Sequence, residues 1–136
     1  MTPSPSLRCV LVFCLLGLTA LGCKGRRCEN ARTQALPEWE RLQKTVDARL
    51  ALARKADPGD PLAKARFEQI NYWAGQISAV TTALGSLPKD PTVVPALEQA
   101  VREVSESVHG VNDHELNELL APARRGGLEV IEHCGR

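Results

Sequence analysis

Four stripes of apolar residues, each recurring at steps of three and four, run through the chain from residue 28 onward. They leave little choice of fold. The first is Leu36, Trp39, Leu42, Val46, Leu50 and Ala53. The second is Phe67, Ile70, Ala74, Ile77, Thr81 and Leu84, widened by Trp73 and Val80. The third is Val94, Leu97, Val101, Val104, Val108 and Val111. The fourth is Leu116, Leu119, Leu120, Ala123, Val130 and Ile131, ending at Cys134. A helix gathers its apolar residues at every third or fourth position, whereas a half-buried strand alternates them. No segment here alternates, so an all-α fold is expected. The valines of the third stripe are mediocre helix formers, but their spacing rules out a strand.

The breaks between stripes carry helix punctuation. Asp57-Pro58-Gly59 ends the first helix, near Ala56. Asp60-Pro61 opens the second, with Asp60 as N-cap and Pro61 at the first helical position, where a missing N–H costs nothing. Ser86-Leu87-Pro88 closes it, and Lys89-Asp90-Pro91 repeats the start signal. Pro95 falls in the first turn of the third helix and Gly110 stops it. Asn112 and Glu115 have the spacing of a capping box for the fourth. Pro37 either starts the main part of helix one or kinks a longer helix that begins near Cys28. Pro122 and Gly126-Gly127 interrupt the fourth stripe, giving one kinked helix or two short ones. Four amphipathic helices on short loops are expected to form an up-down-up-down four-helix bundle. An even number of antiparallel helices brings both ends of the domain together.

Upstream lies a different kind of segment. Residues 1–8 carry one basic side chain, Arg8, and Cys9 to Gly22 is a run of fourteen uncharged residues. As a helix that run would span about 21 Å. It is short against a hydrocarbon core of about 30 Å and suits the core of a signal peptide. The run closes with Ala20-Leu21-Gly22-Cys23, which resembles the lipobox of bacterial lipoproteins. It departs from the usual form at Ala20, where Leu is common, and at Leu21, where a small residue is common. The alternative is an ordinary secretory signal cut near Ala20 or Gly22, or an uncleaved anchor.

The resemblance implies removal of residues 1–22 and attachment of lipid to Cys23. Two or three acyl chains hold a protein stably on a membrane where one does not. Lys24 follows, with no Asp beside the cysteine; among lipoproteins this leans toward the outer rather than the inner membrane. Residues 23–27 then form a lipid-anchored tether ahead of a bundle domain at 28–136. Lys24 to Arg27, fully extended, would reach about 14 Å.

With residues 1–22 removed, 114 residues remain, holding 16 basic and 16 acidic side chains. A net charge of zero gives no ground for a nucleic-acid partner. Cys9 and Cys14 leave with the signal and Cys23 takes the lipid, so Cys28 and Cys134 remain. An exported pair of this kind is expected to form a disulfide. The even helix count places the two residues at one end, where their Cα atoms could come within about 7 Å.

Chemistry-bearing clusters are sparse. His109 and His114 flank the turn between helices three and four, and in the up-down arrangement Asp57, Asp60 and Asp113 fall at the same end. The five could converge on a divalent metal or on a pH-sensitive contact, or serve only as caps and turn residues. Carboxylate pairs such as Glu38/Glu40 and Glu103/Glu106 read as solvated helix faces, and Tyr72-Trp73 as one-sided core packing or, alternatively, the lining of a ligand pocket. No serine, lysine or cysteine stands in a nucleophile motif. No CxxC or CxxCH occurs, and the chain after residue 22 has no methionine, so no cofactor is expected. The expectation is a non-enzymatic module of the cell envelope, held to the membrane by lipid and binding another envelope protein or organising the envelope. The second expectation is a ligand- or metal-binding lipoprotein that uses the distal turns or a cavity between helices.

Overall fold

A computed structural model describes the backbone of residues 20–135 and the side chains of 25–135. The core of the expected signal and the side chain of Cys23 lie outside the described residues. Four α-helices make up the fold: α1 (Ala20–Ala53), α2 (Pro61–Ser86), α3 (Val94–His109) and α4 (His114–Cys134). A 3-10 turn, Pro91–Val93, leads into α3. No strand occurs among the described residues. Helix α1 packs on α2 and α4, and α3 packs on the same two.

The sequence stripes meet in one core. Trp39, Leu42 and Val46 of α1, Ile77, Val80 and Leu84 of α2, Leu97, Val104 and Val108 of α3, and Leu116, Ala123 and Val130 of α4 have no exposed surface. Full burial of a Val, Leu or Ile side chain contributes about 1.5–3 kcal/mol. No polar or charged residue is buried among the described residues. Stripe members at the edges, Leu36, Ala53, Phe67, Ala74, Val111, Leu119 and Ile131, are partly buried against the core. Thr81, also on a stripe, turns its hydroxyl to Gln43 Oε1 of α1 at 3.1 Å.

The caps explain where the helices start. The Asp60 carboxylate accepts from the Leu62 backbone N–H at 3.0 Å, and Asp90 accepts from Thr92 at 3.1 Å. Helix α4 differs from the sequence expectation by one residue. Its N-cap is Asp113, which accepts from Leu116 N–H at 3.1 Å, and Asn112 lies outside the helix. A capping carboxylate contributes about 0.5–2 kcal/mol. Asp113 has a further partner, Arg49 of α1, which Asn112 does not.

The backbone of Lys24 to Arg27 is helical and continuous with α1. One other expectation changes. Gly126 and Gly127 do not interrupt α4, which runs unbroken from His114 through Pro122 to Cys134. Pro37 likewise lies inside α1. The glycines serve close packing. A Cβ on Gly126 would sit 2.9 Å from Ala35 Cβ, and one on Gly127 would sit 3.1 Å from Val101 Cγ2 and 3.3 Å from Trp39 Nε1.

Candidate functional site

Cys28 and Cys134 form a disulfide across 106 residues of sequence, with Cα atoms 4.8 Å apart. Both are buried. Above it runs a seam of small residues, with Ala31 and Ala35 on α1 and Ala123, Gly126 and Gly127 on α4. The Trp39 indole fits the space that Gly127 leaves. Its N–H is buried with no acceptor in reach, a cost of roughly 1–3 kcal/mol set against the burial of a large ring.

The opposite end of the molecule is built differently. From Cys28 to Ala53 the helix rises about 38 Å at 1.5 Å per residue. Near its end Arg49 reaches the α3–α4 turn, donating to Asp113 and lying 3.3 Å from Glu115. The hydrogen bond from Arg49 lowers the Asp113 pKa, helped by the backbone N–H of Leu116 and opposed by partial burial. The same bond raises the pKa of Arg49. These charges tie the last two turns of α1 to the cap of α4. On α2, Trp73 Nε1 donates to Ser107 Oγ at 2.6 Å, and the exposed Tyr72 hydroxyl donates to Glu103 at 2.8 Å.

Between the end of α1 and the start of α2 the packing opens. One cavity of about 500 Å³ is bounded by Ala53, Ala56, Ala63, Ile70 and Trp73, with Arg49, Arg66 and Asp113 at its polar side. A second, of about 420 Å³, shares Ala53, Ala56 and Ala63 and adds Phe67, Arg54, Lys64 and Asp57. The alanines form a low saddle between the two. Leu52, 68% exposed, lines the first cavity, and Leu62, 78% exposed, lines neither but immediately precedes Ala63 in α2; they are the two most exposed large apolar side chains among the described residues.

The five residues that could have converged on a metal are not gathered into such a group among the described residues. Asp57 accepts from Gly59 N–H at 2.9 Å within its own turn. Asp60 and Asp113 are N-caps, and Asp113 also faces Arg49. His114 points to solvent and lies 2.9 Å from Glu118 on its own helix. His109 lines a separate groove of about 380 Å³ between α3 and α4, with Glu106, Asn117 and Arg124. Among the described residues no group of three or more His, Cys, Asp or Glu side chains is placed to hold a metal ion. Each aspartate is drawn to a backbone N–H or a guanidinium, and those partners hold the carboxylates apart.

Leu52 and Leu62 were not singled out by sequence reasoning. Their signal was a large apolar residue off its helix's stripe. Arg49 gave no signal, because its partner lies 64 residues away. Compared with known proteins, the chain matches no family model, no curated protein and no solved structure. No helix among the described residues is long and apolar enough to cross a membrane.

Proposed function

We propose that the protein is a lipid-anchored module of the bacterial cell envelope, attached through Cys23, with no catalytic role, whose free end binds another envelope protein. The observation that carries the binding role is the apolar saddle beside the exposed Leu52 and Leu62, at the end of the molecule opposite the disulfide. Exposed apolar surface of this kind marks interaction sites on otherwise polar proteins. The address is supported by the uncharged run that ends in Gly22-Cys23. An up-down-up-down course of the helices belongs to the same reading. Its support is the pairing of Gln43 with Thr81, of Tyr72 with Glu103, and of Cys28 with Cys134. So does a bend at Pro37 and at Pro122, where each ring removes a helical hydrogen bond and crowds the preceding turn.

The address is tested by mass spectrometry of the protein isolated from membranes. A mature N-terminus at Cys23 carrying acyl mass is expected. An unmodified N-terminus at any other residue defeats it. A second reading, a site for a small ligand, is supported by the 500 Å³ cavity, whose size lies within the range of ligand sites. Its continuity, through Ala53, Ala56 and Ala63, with the second cavity fits an extended protein segment better than a small molecule.

A further inference from the structure

The apolar saddle between α1 and α2 has a charge pattern that specifies its occupant. The residues lining the two cavities include four cations, Arg49, Arg54, Lys64 and Arg66, and two carboxylates, Asp57 and Asp113. Arg49 and Asp113 neutralise each other. Asp57 is held by the Gly59 N–H. Arg54, Lys64 and Arg66 are exposed and make no ion pair among the described residues. Lys55, Asp60 and Glu68 lie beside the cavities without lining them. The surface is therefore a narrow apolar strip with small side chains at its centre, leucines at its flank, and a net positive lining. Outside these lining residues the 28–136 domain carries 9 basic and 14 acidic side chains, so the positive balance is local.

We infer that the α1–α2 end docks an acidic amphipathic segment of another envelope protein, an inference that rests on the proposed binding role. Apolar side chains of the segment would seat over Ala53, Ala56 and Ala63, against Phe67. Carboxylates flanking them would meet Arg54, Lys64 and Arg66. Charge pairs of this type guide encounter and set register more than they add affinity, while the apolar contact supplies most of the burial. A lipid surface shares the same chemistry, leucines among cations. The geometry favours protein, because the strip lies about 38 Å along α1 from Cys28, five residues after the proposed anchor. The membrane that holds the lipid is therefore at the other end.

The test places a photocrosslinking amino acid at Leu62 of the full-length protein in its own membranes. A second variant carries it at Leu128, an exposed leucine of α4. The expected result is a protein adduct at Leu62 and not at Leu128, whose sequenced peptide has carboxylates around apolar residues at helical spacing. Arg54→Glu with Arg66→Glu should lower the adduct yield about tenfold and leave the thermal unfolding of the domain unchanged. A lipid adduct, a crosslinked homodimer, a basic peptide, equal labelling at Leu128, no adduct, or a yield unmoved by charge reversal each overturns the inference. Mass analysis of Cys23 in the same sample separates the two ideas. An acidic adduct with unlipidated Cys23 removes the address and keeps the docking site. Lipidated Cys23 with any overturning result removes the docking site alone.

Discussion

Small side chains line both faces that α1 presents to its neighbours, with opposite results. Against α4, Ala35 and Trp39 fit so closely onto Gly126 and Gly127 that no Cβ has room there. Against α2, Ala53, Ala56 and Ala63 border open grooves of about 500 and 420 Å³. Small residues permit two helices to approach; they do not draw them together. At the α4 seam the approach is enforced by the disulfide below and by the buried Trp39 and Leu42 above. At the α2 end α1 stops at Ala53 and the chain turns through Asp57-Pro58-Gly59, while Arg49 is held toward the α3–α4 turn. Trp73 and Phe67 line the grooves without filling them.

The contrast can be broken most directly at the disulfide. Cys28→Ser with Cys134→Ser should lower stability by about 4.7 kcal/mol, the chain-entropy value for a loop near 100 residues. Urea unfolding of the two proteins reads this. A loss near zero would mean that the seam holds α1 on α4 without help. Next comes the seam itself. Gly126→Ala should cost about 1–3 kcal/mol through overpacking, reduced by the roughly 1 kcal/mol that alanine adds to a helix. Ala56→Leu at the saddle should stay within about 0.5 kcal/mol of the parent while lowering the Leu62 adduct. Equal costs at the two positions would erase the distinction between seam and groove.

A smaller effect is expected where Arg49 holds the turn. The folded-state pKa of Asp113 is lowered below its ordinary value of 3.8, so the charged pair stabilises the fold above that pH. The contribution is lost as pH falls through the lower folded value. Asp113→Asn keeps a capping oxygen and removes the charge. The variant should be less stable than the parent by about 1 kcal/mol or less at neutral pH, and the difference should shrink in acid melts below the ordinary aspartate value and vanish only below the lower folded value. A gap that persists there would assign the effect to the cap. The smallest change goes the other way. Gly75 on α2 has open space where a Cβ would stand, so Gly75→Ala should raise the melting temperature, through a gain of about 0.4–1 kcal/mol. The same substitution would then have opposite signs at Gly75 and Gly126.

Much of the fold was legible because large apolar residues report their own periodicity. Trp39, Leu42, Val46, Ile77, Leu97 and Val104 all lie on stripes and all are buried. Ala31 and Ala35 are equally buried yet give no periodic signal, since alanine is at home inside and outside. Gly126 and Gly127 pointed the wrong way. Without a partner in view, a glycine pair reads as a helix break, and only Ala35 and Trp39 show that it is a contact. The α4 cap was misplaced by one residue for the same reason, because the choice between Asn112 and Asp113 was made by Arg49 on another helix. The saddle was the least legible region. Its leucines stand off the stripes, and its openness depends on where α1 ends.

The bond between Cys28 and Cys134 makes nearly the whole folded chain a covalent ring. A protease cutting once at the exposed Arg54-Lys55 turn would open the ring without freeing a fragment. The two pieces would remain joined and run as one band until reduced. Shedding the bundle from a lipid at Cys23 with the ring intact would require a cut ahead of Cys28, in the short stretch where α1 emerges from the fold. A bundle built this way would stay in one piece after a single nick at its α1–α2 end.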